Sequence, residues 1–223
     1  MNKINSLDFL LEKRFSCRAF LPEKVSKKII EKIVSSAQKV PSWCNAQPWK
    51  LLITAGAKTD HFRNALFDAA SNFQPAPDLE WPTNYSGVYG ERRRTCGYQL
   101  YDAVGIKKGD RTASLAQMME NYRLFGAPHV AIVTSPSELG TYGAMDTGGF
   151  VTAFCLAAQA YGIASIPQAA IAAQAPFVRT FFKISDDQNI LCAISFGYSD
   201  LDHPANSFRT ERASVGDVIE WHE

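Results

Sequence analysis

Arg14-Phe15-Ser16-Cys17-Arg18 sets two guanidinium groups on either side of a hydroxyl, each two residues from the next. Leu21-Pro22 follows closely, and a proline turns the residue before it away from helical angles, so the stretch is predicted to be extended. Extended chain has a side-chain period of two. Arg14, Ser16 and Arg18 then share one face, while Phe15 and Cys17 point the other way, towards a core. Guanidinium forks match phosphate oxygens bidentately, and a hydroxyl between them can donate to a phosphate or to a polyol chain. The plain alternative is two surface arginines paired with carboxylates. A second polar constellation runs from Pro41 to Trp49 and is too rich in proline and small polar residues for a helix or a central strand. Its Ser42, Asn45 and Gln47 are placed to meet a ligand, since an amide carries donor and acceptor on one group and suits the N–H and C=O edge of a heterocycle. Alternatively, Asn45 and Gln47 tie the loop to itself. Ser165 to Ala170 is a small-residue segment able to offer backbone N–H groups, and the tail from Pro204 to Arg212 ends on two more arginines, Arg209 and Arg212.

The elements that would position these groups follow from hydrophobic periodicity. Ser6 to Lys13 reads as a short amphipathic helix with Leu7, Leu10 and Leu11 on one face. Ser26 is predicted to cap a second helix, which carries Ile29, Ile30, Ile33, Val34 and Ala37 on one face and ends at Val40-Pro41. Lys50 to Thr54 reads as a buried strand, and Thr59 to Asn72 as a helix broken by Gln74-Pro75-Ala76-Pro77. Residues 75–84 hold three prolines and form a loop. Tyr85 to Val104 is predicted to be a long helix whose Glu91-Arg92-Arg93-Arg94 cluster is a solvated face. Gly105 stops it, and Asp110 or Thr112 starts another that runs to about Tyr122; residues 75–125 together form a variable, lid-like region. His129 to Thr134 reads as a strand. Met145 to Tyr161 is apolar almost all round, which predicts burial on more than one side, either at the domain centre or in a subunit interface. Gly162 stops that helix, Pro176 to Phe182 forms a short one, and Ile190 to Phe196 forms a strong strand. The architecture is α+β, with long helices around a sheet of few strands in one domain spanning 1–223.

Composition narrows the function classes. Of 223 residues, 46% are hydrophobic and 20% charged, which is that of an ordinary soluble globular protein. A formal net charge of +1 gives no electrostatic reason to expect a nucleic-acid or membrane partner. The first residues lack the apolar core of a signal peptide, and no stretch is long enough for a membrane span, so a cytoplasmic location is expected. Five scattered cysteines with no C-x-x-C pair argue for reduced thiols and against a zinc site. His61, His129, His203 and His222 are far apart, and no metal site is expected. Nucleophile-elbow, phosphate-loop, dinucleotide-fold and zinc-protease motifs do not occur.

In order and spacing, Arg14-x-Ser16-x-Arg18, Pro41-Ser42-x-x-Asn45-x-Gln47-Pro48-Trp49, and Gly197-Tyr198 with Asn206-x-x-Arg209 resemble the FMN-dependent nitroreductase family over nearly the whole chain. The resemblance is to the nitrobenzene and nitrobenzoate reductase branch, through Tyr89 to Asp110 and the Pro167-Gln168-Ala169 turn. It implies a mostly antiparallel central sheet surrounded by helices, and an intertwined homodimer with flavin at the subunit interface. Residues 204–223 would extend towards the partner. Arg14 and Arg209 would hold the FMN phosphate, Ser16 the ribityl chain or phosphate, and Arg18 the N1/C2 edge where negative charge gathers on reduction. Asn45 and Gln47 would lie near the pyrimidine edge, Pro41 and Ser42 against the neighbouring subunit's flavin, and a backbone N–H around Pro167, Gln168 and Ala169 would point at N5. Phe15 stands where a second arginine is frequent. The activity implied is NAD(P)H-dependent reduction of nitroaromatics, a ping-pong hydride transfer through N5 carrying nitro to nitroso to hydroxylamine. No side chain is implied as a catalytic acid or base. Quinones, enones or halogenated phenols are alternative acceptors for the same chemistry, and a non-catalytic flavin-binding protein is a third reading.

Overall fold

Four strands form one antiparallel sheet in the computed structural model, which describes residues 3–72 and 74–223. They are β1 (Lys50–Ile53), β2 (His129–Pro136), β3 (Ala164–Gln168) and β4 (Gln188–Gly197), in the order β1-β2-β4-β3. The helices are α1 (Lys3–Lys13), α2 (Lys27–Ala37), α3 (Ala57–Asn72), α4 (Gly87–Ala103), α5 (Arg111–Met119), α6 (Gly140–Ala160), α7 (Ala169–Ala172) and α8 (Ala175–Phe182).

Side chains alternate across a strand, so the two central strands feed two cores. Val130 and Ile132 of β2 join Phe62 and Leu66 of α3 and Val178 of α8 on one face. Ala131 and Val133 join Ile33 of α2 and Phe150 and Phe154 of α6 on the other. The second helix is capped as its sequence predicts: the Ser26 side chain accepts from the Ile29 N–H, and Ile30, Ile33 and Ala37 are buried. Each such large aliphatic side chain contributes roughly 1.5–3 kcal/mol on burial. The fifth helix likewise starts at Asp110, whose side chain accepts from the Ala113 N–H at 2.9 Å.

One expectation changes. Lys50 to Ile53 is not a buried strand but a half-exposed edge strand, because only β2 pairs with it. The long apolar helix, α6, buries Phe150, Phe154 and Ala158 on one side, while Tyr142 and Met145 remain exposed at 57% and 65%, which leaves the subunit-interface alternative for its outer side. The small-residue segment from Ser165 to Ala170 is β3 running directly into the one-turn helix α7. Within residues 75–125 the structure separates two parts: α4 buries only Gly90, whereas Leu124 and Phe125 are core residues. The 75–84 loop is strapped down, since Asp78 Oδ2 accepts from Arg179 Nη2 and from the Ile190 N–H, both at 2.7 Å. No described helix is long and apolar enough to cross a membrane.

Candidate active site

The Arg14 to Arg18 stretch runs as extended chain along the β3 edge, with Ser16 bridged to Ser165 and the Cys17 N–H donating to Ser165 O at 3.2 Å. The predicted facing holds in part: Cys17 is fully buried, and Arg14, Ser16 and Arg18 line a cavity of about 520 Å³ together with Arg209 and Arg212 of the tail. Phe15, expected to face the core, is only half-buried and lines the same cavity. Ser16 and Arg18 also line a second cavity of about 300 Å³, floored by Pro167, Gln168 and Ala169 and roofed by Tyr101 of α4 and Gln117 of α5. The two cavities form one trough, arginine-rich at one end and flanked by aromatic and amide side chains at the other.

Charge in this trough is unbalanced. Among the described residues, none of the four arginines has a carboxylate within 4 Å. Arg18 is the most telling: burial pulls its guanidinium below the usual arginine range, and Nη1 has only the Ser16 carbonyl, at 3.1 Å. A desolvated cation without a counter-charge is costly, so the trough is built to receive an anion. Arg209 is aimed by two backbone carbonyls, with Nη1 donating to Asn206 O at 2.8 Å and Phe208 O at 2.7 Å, and its guanidinium lies 3.8 Å from the Phe15 ring centroid. Phe15 thus serves as a platform for Arg209 in the place where a further arginine was the family expectation.

Asn206 is the residue whose role the sequence reading passed over. Only 3% exposed, it accepts from the Arg18 N–H at 2.7 Å and donates through Nδ2 to Ala19 O at 2.9 Å and Asp200 O at 2.7 Å. It ties the tail to the N-terminal stretch and so fixes Arg18 and Arg209 relative to one another. Its position three residues before Arg209 was the available signal. Gln168 is also a framework residue: its Nε2 donates to Asn121 O at 3.0 Å, and its Oε1 accepts from Ser195 Oγ at 2.6 Å.

Pro41, Ser42, Asn45 and Gln47 do not reach this trough within one chain. They lead into β1, and the trough runs along β3 at the opposite edge, three inter-strand spacings or about 14 Å away. Their loop is self-contained, with the Gln47 N–H donating to Ser42 Oγ at 2.9 Å and Gln47 Nε2 to Asn45 O at 3.2 Å. Cys44, Asn45 and Gln47 all adopt positive φ, and Trp43 packs edge-on to Tyr142 of α6 with centroids 4.4 Å apart. His129 is a structural residue: Nε2 accepts from the Val25 N–H and Nδ1 donates to Thr54 O, each at 3.0 Å, and burial lowers its pKa.

An antiparallel four-stranded sheet covered by helices on both faces, here with an arginine-lined trough along its β3 edge, is the nitroreductase fold. The chain belongs to the Nitroreductase family, whose profile matches residues 11–198. Nitroreductase NfnB of Mycolicibacterium smegmatis is 32% identical over 213 residues, covering 95% of this chain and 91% of that protein. A 4-nitrobenzoate reductase of Pseudomonas putida is 32% identical over 209 residues, covering 93% and 92%. The crystal structure of the FMN-dependent NfnB from Mycobacterium smegmatis in complex with NADPH superposes with a TM-score of 0.95 at 30% identity, over 100% of both chains.

Proposed function

We propose that this chain is an FMN-dependent, NADPH-oxidising nitroreductase acting on nitroaromatic compounds. The observation that carries the reading is the arginine set without carboxylate partners: Arg14, Arg18 and Arg209 around one trough, whose other end is lined by Tyr101, Gln117 and the Pro167 to Ala169 backbone. FMN fits this donor set, since a phosphate monoester meets Arg14 and Arg209, and Ser16 lies between them and Arg18. Arg18 would lie against the ring's N1/C2 edge and favour added negative charge there. The Pro167, Gln168 and Ala169 floor, rigidified through the bonded Gln168 side chain, would present backbone to the ring. The chemistry that FMN supplies when bound is two-electron hydride transfer through N5, in ping-pong order from NADPH to the acceptor, taking nitro through nitroso to hydroxylamine. The roof of Tyr101 and Gln117 would exclude bulk water from the open ring face.

The chain would act as an intertwined homodimer. In that assembly Pro41, Ser42, Asn45 and Gln47, which stand away from their own trough, would meet the flavin of the partner subunit. An absorbance spectrum tests the reading: yellow protein that bleaches with anaerobic NADPH and recovers with 4-nitrobenzoate is expected. Bleaching without recovery would redirect the acceptor to quinones, enones or halogenated phenols, and a flavin that NADPH never bleaches would leave a binding protein. A colourless protein that FMN cannot reconstitute would sink it.

A further inference from the structure

Hydride alone does not reduce a nitro group. A nitro group that takes one hydride and one proton becomes a nitroso group and water, and the nitroso group takes a second hydride and a second proton to become a hydroxylamine. NADPH can supply the hydrides, but each proton has to reach an oxygen of the acceptor inside a roofed cavity. Few side chains of the ring-end cavity can deliver one. Gln168 and Asn121 are committed to the framework: Gln168 Nε2 donates to Asn121 O at 3.0 Å and to Asn121 Oδ1 at 3.3 Å, and Asn121 Nδ2 donates to Met118 O at 3.0 Å. Arg18, the only charged side chain lining this cavity among the described residues, bonds the Ser16 carbonyl, and a guanidinium does not give up its proton in a protein. Ser16 is taken by the flavin's side chain on the reading above. Tyr101 and Gln117 remain, and neither side chain has a hydrogen-bond partner among the described residues. Of these two, only the phenol can release a proton; the amide can only donate a hydrogen bond.

The way α4 ends sets Tyr101 in place. Gly105, at φ +74°, donates its N–H to Asp102 O at 3.2 Å, and the Ile106 N–H donates to Tyr101 O at 2.8 Å. A left-handed glycine with these two bonds closes a helix's last turn, so Tyr101 is anchored within that turn, across the cavity from the Pro167 to Ala169 floor. Gln117 is held on α5, whose start is fixed by the Asp110 cap.

We propose that Tyr101 is the proton donor of the acceptor half-reaction. Its O–H bonds one oxygen of a nitro group lying between roof and ring, and the Gln117 amide holds the other oxygen. In the first two-electron step the phenol proton and the hydride together remove that oxygen as water, the N–O bond breaks and nitro is reduced to nitroso. In the second the proton goes to the nitroso oxygen and the hydride to nitrogen, giving the hydroxylamine. Tyr101 is half-buried, so solvent returns the proton to the phenolate between steps. The inference rests on the functional reading above, which puts the acceptor on the flavin ring. A positioned side-chain acid is worth about 10²- to 10⁴-fold in rate.

Rapid mixing separates the steps. With FMN-loaded protein already bleached by NADPH, Tyr101→Phe is expected to slow re-oxidation by 4-nitrobenzoate about a hundredfold. Re-oxidation by ferricyanide, which takes electrons without a proton, should keep its wild-type rate. A readout without turnover is the infrared difference spectrum of 4-nitrobenzoate bound to oxidised protein: the nitro stretch should lie at lower wavenumber in wild type than in Tyr101→Phe. Equal re-oxidation of the two proteins by 4-nitrobenzoate, equal slowing with both oxidants, or a nitro stretch that the substitution does not move overturns the proposal. Bleaching by NADPH reads on the functional reading alone. The infrared comparison needs no NADPH, so the role of Tyr101 is judged separately from that reading.

Discussion

Arg209 holds its place through contacts that would survive loss of its ligand: two carbonyls and the Phe15 ring. Its truncation should therefore cost affinity more than fold. Arg209→Ala is expected to weaken FMN binding by about ten- to a hundredfold, the worth of a charged hydrogen bond, with near-native circular dichroism. Full flavin retention through gel filtration would remove Arg209 from the phosphate site. The thiols offer a second residue-level test. Burial pushes the Cys17 thiol up to about 11 and the Cys192 thiol up to about 12, and Cys155 is raised by the same cause. Thiolate is the reactive form. A disulfide reagent at pH 8 should modify exposed Cys44 first and half-exposed Cys96 next. It should react slowly with Cys192, whose thiol is partly accessible but raised, and reach buried Cys17 and Cys155 only on unfolding. Rapid native labelling of Cys17 would mean that the Arg14 to Arg18 stretch opens.

Among the elements, β2 depends on groups at its first residue. His129 accepts from the Val25 N–H and donates to Thr54 O, so it knits the approach to α2 and the exit of β1 onto β2 while uncharged. Its folded pKa lies below the unfolded value of 6.5, so the unfolded chain binds the extra proton first. Stability is fully present above about pH 6.5 and falls as pH drops towards the lower folded pKa. Melting temperature should decline below about pH 6.5, and a His129→Gln variant should lose that slope. Next to it, a Cβ on Gly197 would fall 2.6 Å from Pro128 Cδ. Gly197→Ala is expected to cost about 1–3 kcal/mol in denaturant unfolding, and an unchanged midpoint would show that the β4 end yields freely. Much of this level was legible in the sequence: Ser26 and Asp110 as caps, Gly105 and Gly162 as stops, and the shared face of Arg14, Ser16 and Arg18. What escaped depended on neighbours that a linear pattern does not contain. Lys50 to Ile53 has the composition of a central strand but only one partner. The bends at Cys44, Asn45 and Gln47 break the expectation that positive φ belongs to glycine. The partners of the Gln168 side chain, Asn121 and Ser195, are set by tertiary packing and could not be read from spacing.

At the scale of the whole molecule, surface area is the leading fact. The chain exposes 13564 Å², whereas a compact monomer of 24.6 kDa exposes about 10,000 Å². The excess is of the size that obligate dimers bury. Large apolar side chains left exposed on the chain include Leu7 and Leu11 of α1, Tyr142 and Met145 of α6, and Val218 and Trp221 of the tail. The proposed dimer predicts a light-scattering mass twice 24.6 kDa that persists on dilution to nanomolar concentration, with flavin lost if subunits are forced apart. A stable monomer that keeps its flavin would overturn it. The Asn206 clamp has a consequence for synthesis. Arg18 leaves the ribosome early, but the side chain that fixes its backbone, and Arg209 beyond it, emerge only after every strand of the sheet. A nascent chain halted before residue 206 would own the whole sheet but neither the clamp on Arg18 nor Arg209, so firm flavin uptake is expected to follow emergence of the tail rather than closure of the sheet.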